Sequence, residues 1–495
     1  MLEGPLSGVD RGGPGNGHDA VMGSTPSMRE RGGWGRWSNR RAPNLWRAVI
    51  DRASLAWKVL LLRIFNYFIS HPMLFRAGFA LLRIARPIAV IRSTVLLAKA
   101  RDVVDVLARI DDFTVAEFLA PKMPWGQFLL NLDGREQHAR ERQILNGVGS
   151  DFRDSERLRA LISDAAKHPM PTSGRLDVVK DVCEPVVLRI ACDYFGVPRN
   201  HGPSEMMRMM ADLGSIVMLE PAQGSRRWNE IRDHIDEFTT RLEDEVCARW
   251  NAAQAGRPGG NDLLGRLVEG MVKGCISTDP SFARRYVTGV TTAGTATIVR
   301  AATHAIDRLL AHPAALKAAQ ELATALTDAI AAAADPTKPA EEQEATKASV
   351  ERLRPQLLQV AYEALRFRPM LPLLVRYCPR DALLAKGTTD ARMARAGAQV
   401  IAAPIAAMFD PERFPQPSKF CSDRPLESYV HFGVGPRKCF GKYVVDIALV
   451  EIVRTVLLLR GLKRASGSQG RISYEGPVPR SLVVTFEAAS RMPKP

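Results

Sequence analysis

The feature that most constrains this chain is the stretch His431-Phe432-Gly433-Val434-Gly435-Pro436-Arg437-Lys438-Cys439-Phe440-Gly441, set just ahead of an apolar run from Tyr443 to Leu459. A cysteine, three glycines and a helix start meet there. Glycine reaches backbone angles closed to other residues and lets a flat ligand approach the main chain. Cys439 falls at the entry of the following helix, where unpaired N–H groups and the positive dipole end favour thiolate over thiol. A thiolate in such a loop serves as a nucleophile or a metal ligand. With no CxxC partner and no histidine at zinc spacing, the pattern argues against zinc. The plain alternative is an ordinary buried cysteine in a surface loop.

The spacing Phe432-x-x-Gly435-x-Arg437-x-Cys439-x-Gly441 resembles the haem-binding loop of the cytochrome P450 family at every signature position. The resemblance implies haem b as cofactor, with Cys439 on the iron and Phe432, Arg437 and Gly441 around the ring. It also implies the fold, mainly α with small β-sheets, in one haem domain over 87–495.

Length and charge are compatible with that reading. A chain of 495 residues buries a large core. Its seven cysteines (183, 192, 247, 275, 378, 421 and 439) are scattered and odd in number, which suits a reducing, cytoplasmic location. Net charge is +15, but residues 1–101 hold 16 Lys and Arg against 5 Asp and Glu. A basic arm of this kind serves nucleic acid, an anionic membrane surface, or only solvation. No nucleic-acid fold signature accompanies it, so nucleic-acid binding is not expected.

Residues 1–44, with ten glycines by Gly35, read as a disordered basic extension or an upstream start wrongly included. No signal peptide is visible. Residues 45–86 are apolar but interrupted by Arg47, Arg52, Lys58, Arg63, Arg76, Arg83 and Arg86, too many charges for a spanning helix. Two helices broken near His71-Pro72 fit better. They pack on the haem domain or lie peripherally on a membrane. From Pro87 short paired strands (88–91 and 94–98) and a helix (101–108) are expected. The loop 110–132 carries Phe113, Phe118, Met123, Trp125 and Phe128, either to line a substrate pocket or to pack locally.

A helix over 133–146 places His138 and Arg142 four apart, on one face. Amphipathic helices are expected over 154–166 and 175–195. The longest helical run is 281–310, with Ala293-Gly294-Thr295-Ala296-Thr297 at its middle. There the threonine hydroxyl competes for backbone carbonyls and can open the helix. Residues 334–347 read as a surface insertion. Glu363-Ala364-Leu365-Arg366 follows in a helix, then Arg376 in a strand over 373–378, and a final strand pair within 471–488 turns near Pro477–Pro479.

The resemblance gives these residues roles. His138, Arg142, Arg376 and Arg437 are implied as cations for the two haem propionates. Gly294 and Thr297 match the oxygen-binding helix, Thr297 handling dioxygen and its protons. The usual acid beside the threonine is replaced by Ala296. Glu363 and Arg366 are implied as a buried brace for the cysteine loop, with Arg424, which fits better than Arg413, as third member. The implied activity is a monooxygenase inserting one oxygen atom of O2 into an apolar small molecule. Its electrons come from a separate ferredoxin and ferredoxin reductase. Because of Ala296, the alternatives are a peroxygenase, a hydroperoxide isomerase or lyase, or a catalytically idle haem protein that binds a ligand. Lys438 and Lys442 are candidates for a ferredoxin docking face.

Overall fold

A computed structural model describes residues 72–149, 154–167, 171, 173–218, 225–277, 279, 281–476 and 478–487. These fall in one compact unit, Leu55–Pro495; the expected disordered extension over 1–44 and the first of the two expected N-terminal helices lie outside the described residues.

Helices dominate, and small sheets sit at their margins. The first described helix, Pro72–Ala85, presses Phe79 onto Ala98, Ala403, Ile405 and Ala406. Arg83 fixes it by donating to the carbonyls of Ala98 (3.0 Å) and Ala406 (2.8 Å). Packing therefore runs on across the boundary expected at residue 87. Strands β1 (Ile88–Ile91) and β2 (Thr94–Leu97) form an antiparallel hairpin of mostly β-branched residues. Strand β3 is Arg175–Asp177, β4 Leu374–Tyr377, β5 Ala382–Leu384, β6 Arg392–Ala394 and β7 Gln399–Ala402. The tail supplies β8 (Lys463–Arg464), β9 (Ser473–Glu475), β10 (Val478–Ser481) and β11 (Val483–Thr485). One sheet runs β1-β2-β7-β4, with β2 and β7 parallel; β3-β11-β8, β5-β6 and β9-β10 are antiparallel.

Two helices matter most for the site. The central helix, Ser281–Leu310, is buried nearly all round. The helix Lys442–Leu457 buries twelve residues from Val444 to Leu457 and carries the cysteine loop on its N-terminus. The expected insertion over 334–347 instead holds the start of a long helix, Ala340–Phe367. The helix expected over 175–195 is strand β3 followed by π-helical turns at Val178–Cys183 and Ile190–Tyr194 that flank an α-helical turn. Asp177 ends the strand: its carboxylate accepts from the N–H of Val179 and Leu482 (both 3.1 Å).

Most of the aromatic loop 110–132 is core. Phe113, Met123, Trp125 and Phe128 are all buried. Phe128 lies edge-on to Tyr286 of the central helix at 6.3 Å, over Gly289, where a Cβ would stand 2.5 Å from its ring. Local packing thus accounts for these residues, while Phe118 remains part-exposed.

Candidate functional site: the cysteine loop and its cation cluster

The loop is shaped by two glycines and one hydrogen bond. Gly433 (φ 67°) and Gly435 (φ 72°) adopt the left-handed conformation, and a Cβ on Gly435 would meet the Cα of Ala108 at 3.0 Å. Gly441 has an ordinary negative φ and begins the helix. The loop closes where the Cys439 N–H donates to Phe432 O at 2.9 Å.

Cys439 is exposed, yet burial raises its thiol pKa. Both hold for a side chain that keeps accessible surface while protein crowds around its sulfur. The Gly441 N–H and the charges of Arg142 and Lys442 oppose that shift without reversing it, and Asp446 adds to it. Helix entry alone therefore does not yield the thiolate expected from sequence. A cation at sulfur would, because metal coordination deprotonates a thiol outright.

Three guanidinium cations and a neutral imidazole gather beside it. Arg142 donates to Lys438 O at 2.6 Å. Arg437 donates to Leu132 O at 2.7 Å and pairs with Asp133, but its Nε is buried without a partner. Arg376, on β4, donates only to the carbonyl of its own neighbour Val375 (2.9 Å); burial, then Arg437, lower its pKa to about 10. His138 is buried, and burial followed by Arg437 and Arg142 holds its pKa at about 4. Asp133 is the nearby carboxylate, shared with the N–H groups of Val115 and Ala116. It lies before the helix that holds His138, which starts at Arg135 rather than at the expected residue 133. Such a surplus of buried donors costs free energy unless an anion satisfies it. Two carboxylates beside a thiol meet that need, so these residues fit haem with its propionates.

Across the site, the central helix runs unbroken through Thr297, so the expected local opening is absent. The hydroxyl is nevertheless bonded to backbone: Thr297 Oγ1 donates to Ala293 O (2.7 Å) and Gly294 O (3.1 Å). Val290, Ala293, Gly294 and Thr297 form a part-exposed stripe on an otherwise buried stretch. Ala296 is buried against Gly214, so no acid stands beside the threonine.

Behind the loop, Glu363 and Arg366 are fully buried and paired twice, at 2.9 and 2.7 Å. Arg366 also donates to the carbonyls of Met408, Pro417 and Lys419. Arg424 brings its Nε within 3.6 Å of Glu363, while Arg413 turns to Ser428 O. Sequence reasoning missed the link to the loop. Tyr429 donates to Glu363 at 2.9 Å and stacks on His431, and His431 Nε2 stands 2.9 Å from Tyr362 O. The signal was the aromatic run just before Cys439. Lys438 is exposed, whereas Lys442 is committed to Asp446 and is a poor docking cation.

Residues 92–460 match the family model described as Cytochrome P450. Among solved structures, the crystal structure of CalO2 aligns over 83% of this chain and 96% of that chain, at 21% identity and a TM-score of 0.65. The structure of P450BioI in complex with hexadec-9Z-enoic acid ligated acyl carrier protein aligns over 85% and 99%, at 18% identity and a TM-score of 0.66. At these identities the likeness speaks to the fold. Linoleate diol synthase of Gaeumannomyces graminis is 45% identical over 76 residues, 15% of this chain and 6% of that protein. Psi-producing oxygenase A of Aspergillus fumigatus is 33% identical over 100 residues, 20% and 9% respectively. The matches thus span less than a tenth of these relatives' own length. The family model spans most of the chain and takes in the cysteine loop, the cation cluster and the central helix, and the chain belongs to the cytochrome P450 family.

Proposed function

We propose that this protein, a haem-thiolate oxygenase by family, is a monooxygenase that inserts one atom of O2 into an apolar small molecule. Bound through a cysteine thiolate, haem supplies the oxygen chemistry, with electron donation from sulfur favouring O–O cleavage. Cys439 would hold the iron. His138, Arg142, Arg376 and Arg437 would hold the propionates, and Phe432 and Gly441 would border the ring. Glu363, Arg366 and Arg424 keep the loop in place from behind. Gly294 leaves room on the helix wall, and Thr297 holds and passes a proton through its hydroxyl.

The observation that carries this reading is Thr297 itself. It is a part-exposed hydroxyl already held between two carbonyls on the part-exposed stripe of the central helix. Positioned proton transfer contributes about 10²–10⁴-fold. With Ala296 beside it, Thr297 must draw protons from water rather than from a neighbouring carboxylate.

That departure, and the matched segment of linoleate diol synthase, favour a second reading: rearrangement of a fatty-acid hydroperoxide that arrives already reduced. Purified protein is to be given substrate with a ferredoxin, its reductase and NAD(P)H, and separately with hydrogen peroxide or linoleate hydroperoxide. Turnover with the reductase system is expected, falling about 10²-fold or more in Thr297→Ala. Turnover only with peroxide replaces the first reading by the second.

Peripheral membrane contact is part of the proposal. Among the described residues no helix is long and apolar enough to cross a membrane. The helix Pro72–Ala85 nonetheless exposes Met73, Leu81 and Ile84, and the β1–β2 hairpin exposes Val90 and Ile91, beside the exposed Arg86 and Arg92. Cosedimentation with phosphatidylserine vesicles is expected and should fall about tenfold or more in Leu81→Glu/Ile84→Glu. Unchanged sedimentation of the double variant removes this face from the account.

A further inference from the structure

One buried charge on the central helix is not used by anything above. Arg300 is 3% exposed. Its side chain makes no ion pair or hydrogen bond to any described residue, and its Nε is sealed from water without a partner. The two other arginines as deeply buried among the described residues are both paired: Arg366 holds Glu363 and three carbonyls, and Arg454 holds Glu451.

The position is informative. On a helix, residues 293, 297, 300 and 304 follow one another along a single face. Arg300 therefore continues, one turn on, the stripe of Val290, Ala293, Gly294 and Thr297. Its neighbours are a neutral imidazole, a phenol and one further guanidinium, Arg368, which is itself paired with Asp307. His304 is buried with both ring nitrogens engaged, Nδ1 at 3.1 Å from Arg368 O and Nε2 at 2.9 Å from the Tyr474 hydroxyl on β9. Burial, then Arg368 and Arg300, hold its imidazole well below its ordinary pKa. The nearest acid on the helix, Asp307, is taken by Arg368 and Arg464. No described residue thus gives the Arg300 guanidinium a counter-charge, and burial lowers its pKa to about 10.

A guanidinium in this state is costly to keep, and its planar fork matches a carboxylate bidentately. Because Arg368, the other cation of this neighbourhood, is engaged by Asp307, the one uncompensated charge suits a carboxylate better than the two of a phosphate. The stripe leading up to it is mostly small and apolar. We propose that Arg300 anchors the carboxylate of an apolar, acid-bearing substrate whose body lies along the Val290–Thr297 stripe. The proposal rests on reading that stripe as the wall of the haem and substrate chamber.

Two measurements on the full chain test it. In the haem-loaded protein, linoleic acid and its methyl ester are compared by calorimetric titration. The acid should bind at least about tenfold tighter than the ester. Arg300→Leu should bind both alike, and Arg300→Lys should keep part of the preference. Equal affinity in the parent protein, no binding of either ligand, or a preference that survives in Arg300→Leu would overturn the proposal. The second measurement needs no haem. Ligand-free Arg300→Leu should melt higher than the parent, because it removes a buried charge that has no partner; a lower melting temperature means a structural role and overturns the proposal. Failure of the haem reading is seen separately, as loss of the thiolate-type spectrum in the parent protein.

Discussion

Arg366→Leu is expected to destabilise the chain by about 3–5 kcal/mol, the range found when one partner of a buried ion pair is removed. The reason lies in what remains. Glu363 would stay in the core with Tyr429 and the Cys421 N–H as its donors, and the carbonyls of Met408, Pro417 and Lys419 would lose theirs. Water cannot reach the Glu363 carboxylate, since both side chains of the pair are fully buried. The damage should also travel. Through Tyr429 and the His431 ring stacked on it, the pair is tied to the segment that leads into the cysteine loop. Haem content should therefore fall together with stability. Arg413→Leu is the matched control, because Arg413 donates only to the carbonyls of Ser428 and Glu427 near the surface; a loss of about 1 kcal/mol is expected there. Urea unfolding of the three proteins decides the matter. Equal losses in the two variants would mean that the brace is no more than another surface contact.

The contrast between Arg366 and Arg300 marks what could be read in the sequence. Glu363 and Arg366 are three residues apart, so helix geometry alone brings them together and position in the chain raises them above chance. The loop around Cys439 was legible for the same reason: its glycines, cysteine and arginine lie within ten consecutive residues. The choice of Arg424 over Arg413 agrees with the 3.6 Å approach to Glu363. Interactions between distant segments were not legible. The sequence pattern puts Asp133 in the first turn of a helix, whereas its pairing with Arg437 depends on how two loops 304 residues apart meet. The π-helical turns of 178–194 follow a helical hydrophobic pattern and differ only in backbone bonding. Arg300 drew no notice because an arginine in a helix ordinarily faces water. Only tertiary packing, which buries the central helix nearly all round, makes that residue an exception.

Cys439→Ala should abolish the thiolate-type absorption of the reduced, carbon monoxide-treated protein while leaving the polypeptide fold close to intact. The two halves of that expectation have separate causes. The spectrum depends on sulfur, and no other cysteine among the described residues is placed to replace it: Cys183, Cys192, Cys247 and Cys378 have their thiols pushed up by burial, Cys421 stands by the Glu363 carboxylate, and Cys275 is exposed without the cation cluster around it. The fold, by contrast, takes little from the side chain. Cys439 is exposed, and the loop closes through its backbone N–H on Phe432 O, a bond alanine keeps. Loss of stability in the haem-free chain should stay within about 0.5 kcal/mol, as for an exposed substitution. Cys275→Ala serves as the control and should keep the full spectrum. A thiolate-type band surviving in Cys439→Ala would place the iron on another ligand. An unfolded Cys439→Ala chain would show that the side chain holds the loop together by packing, contrary to its exposure.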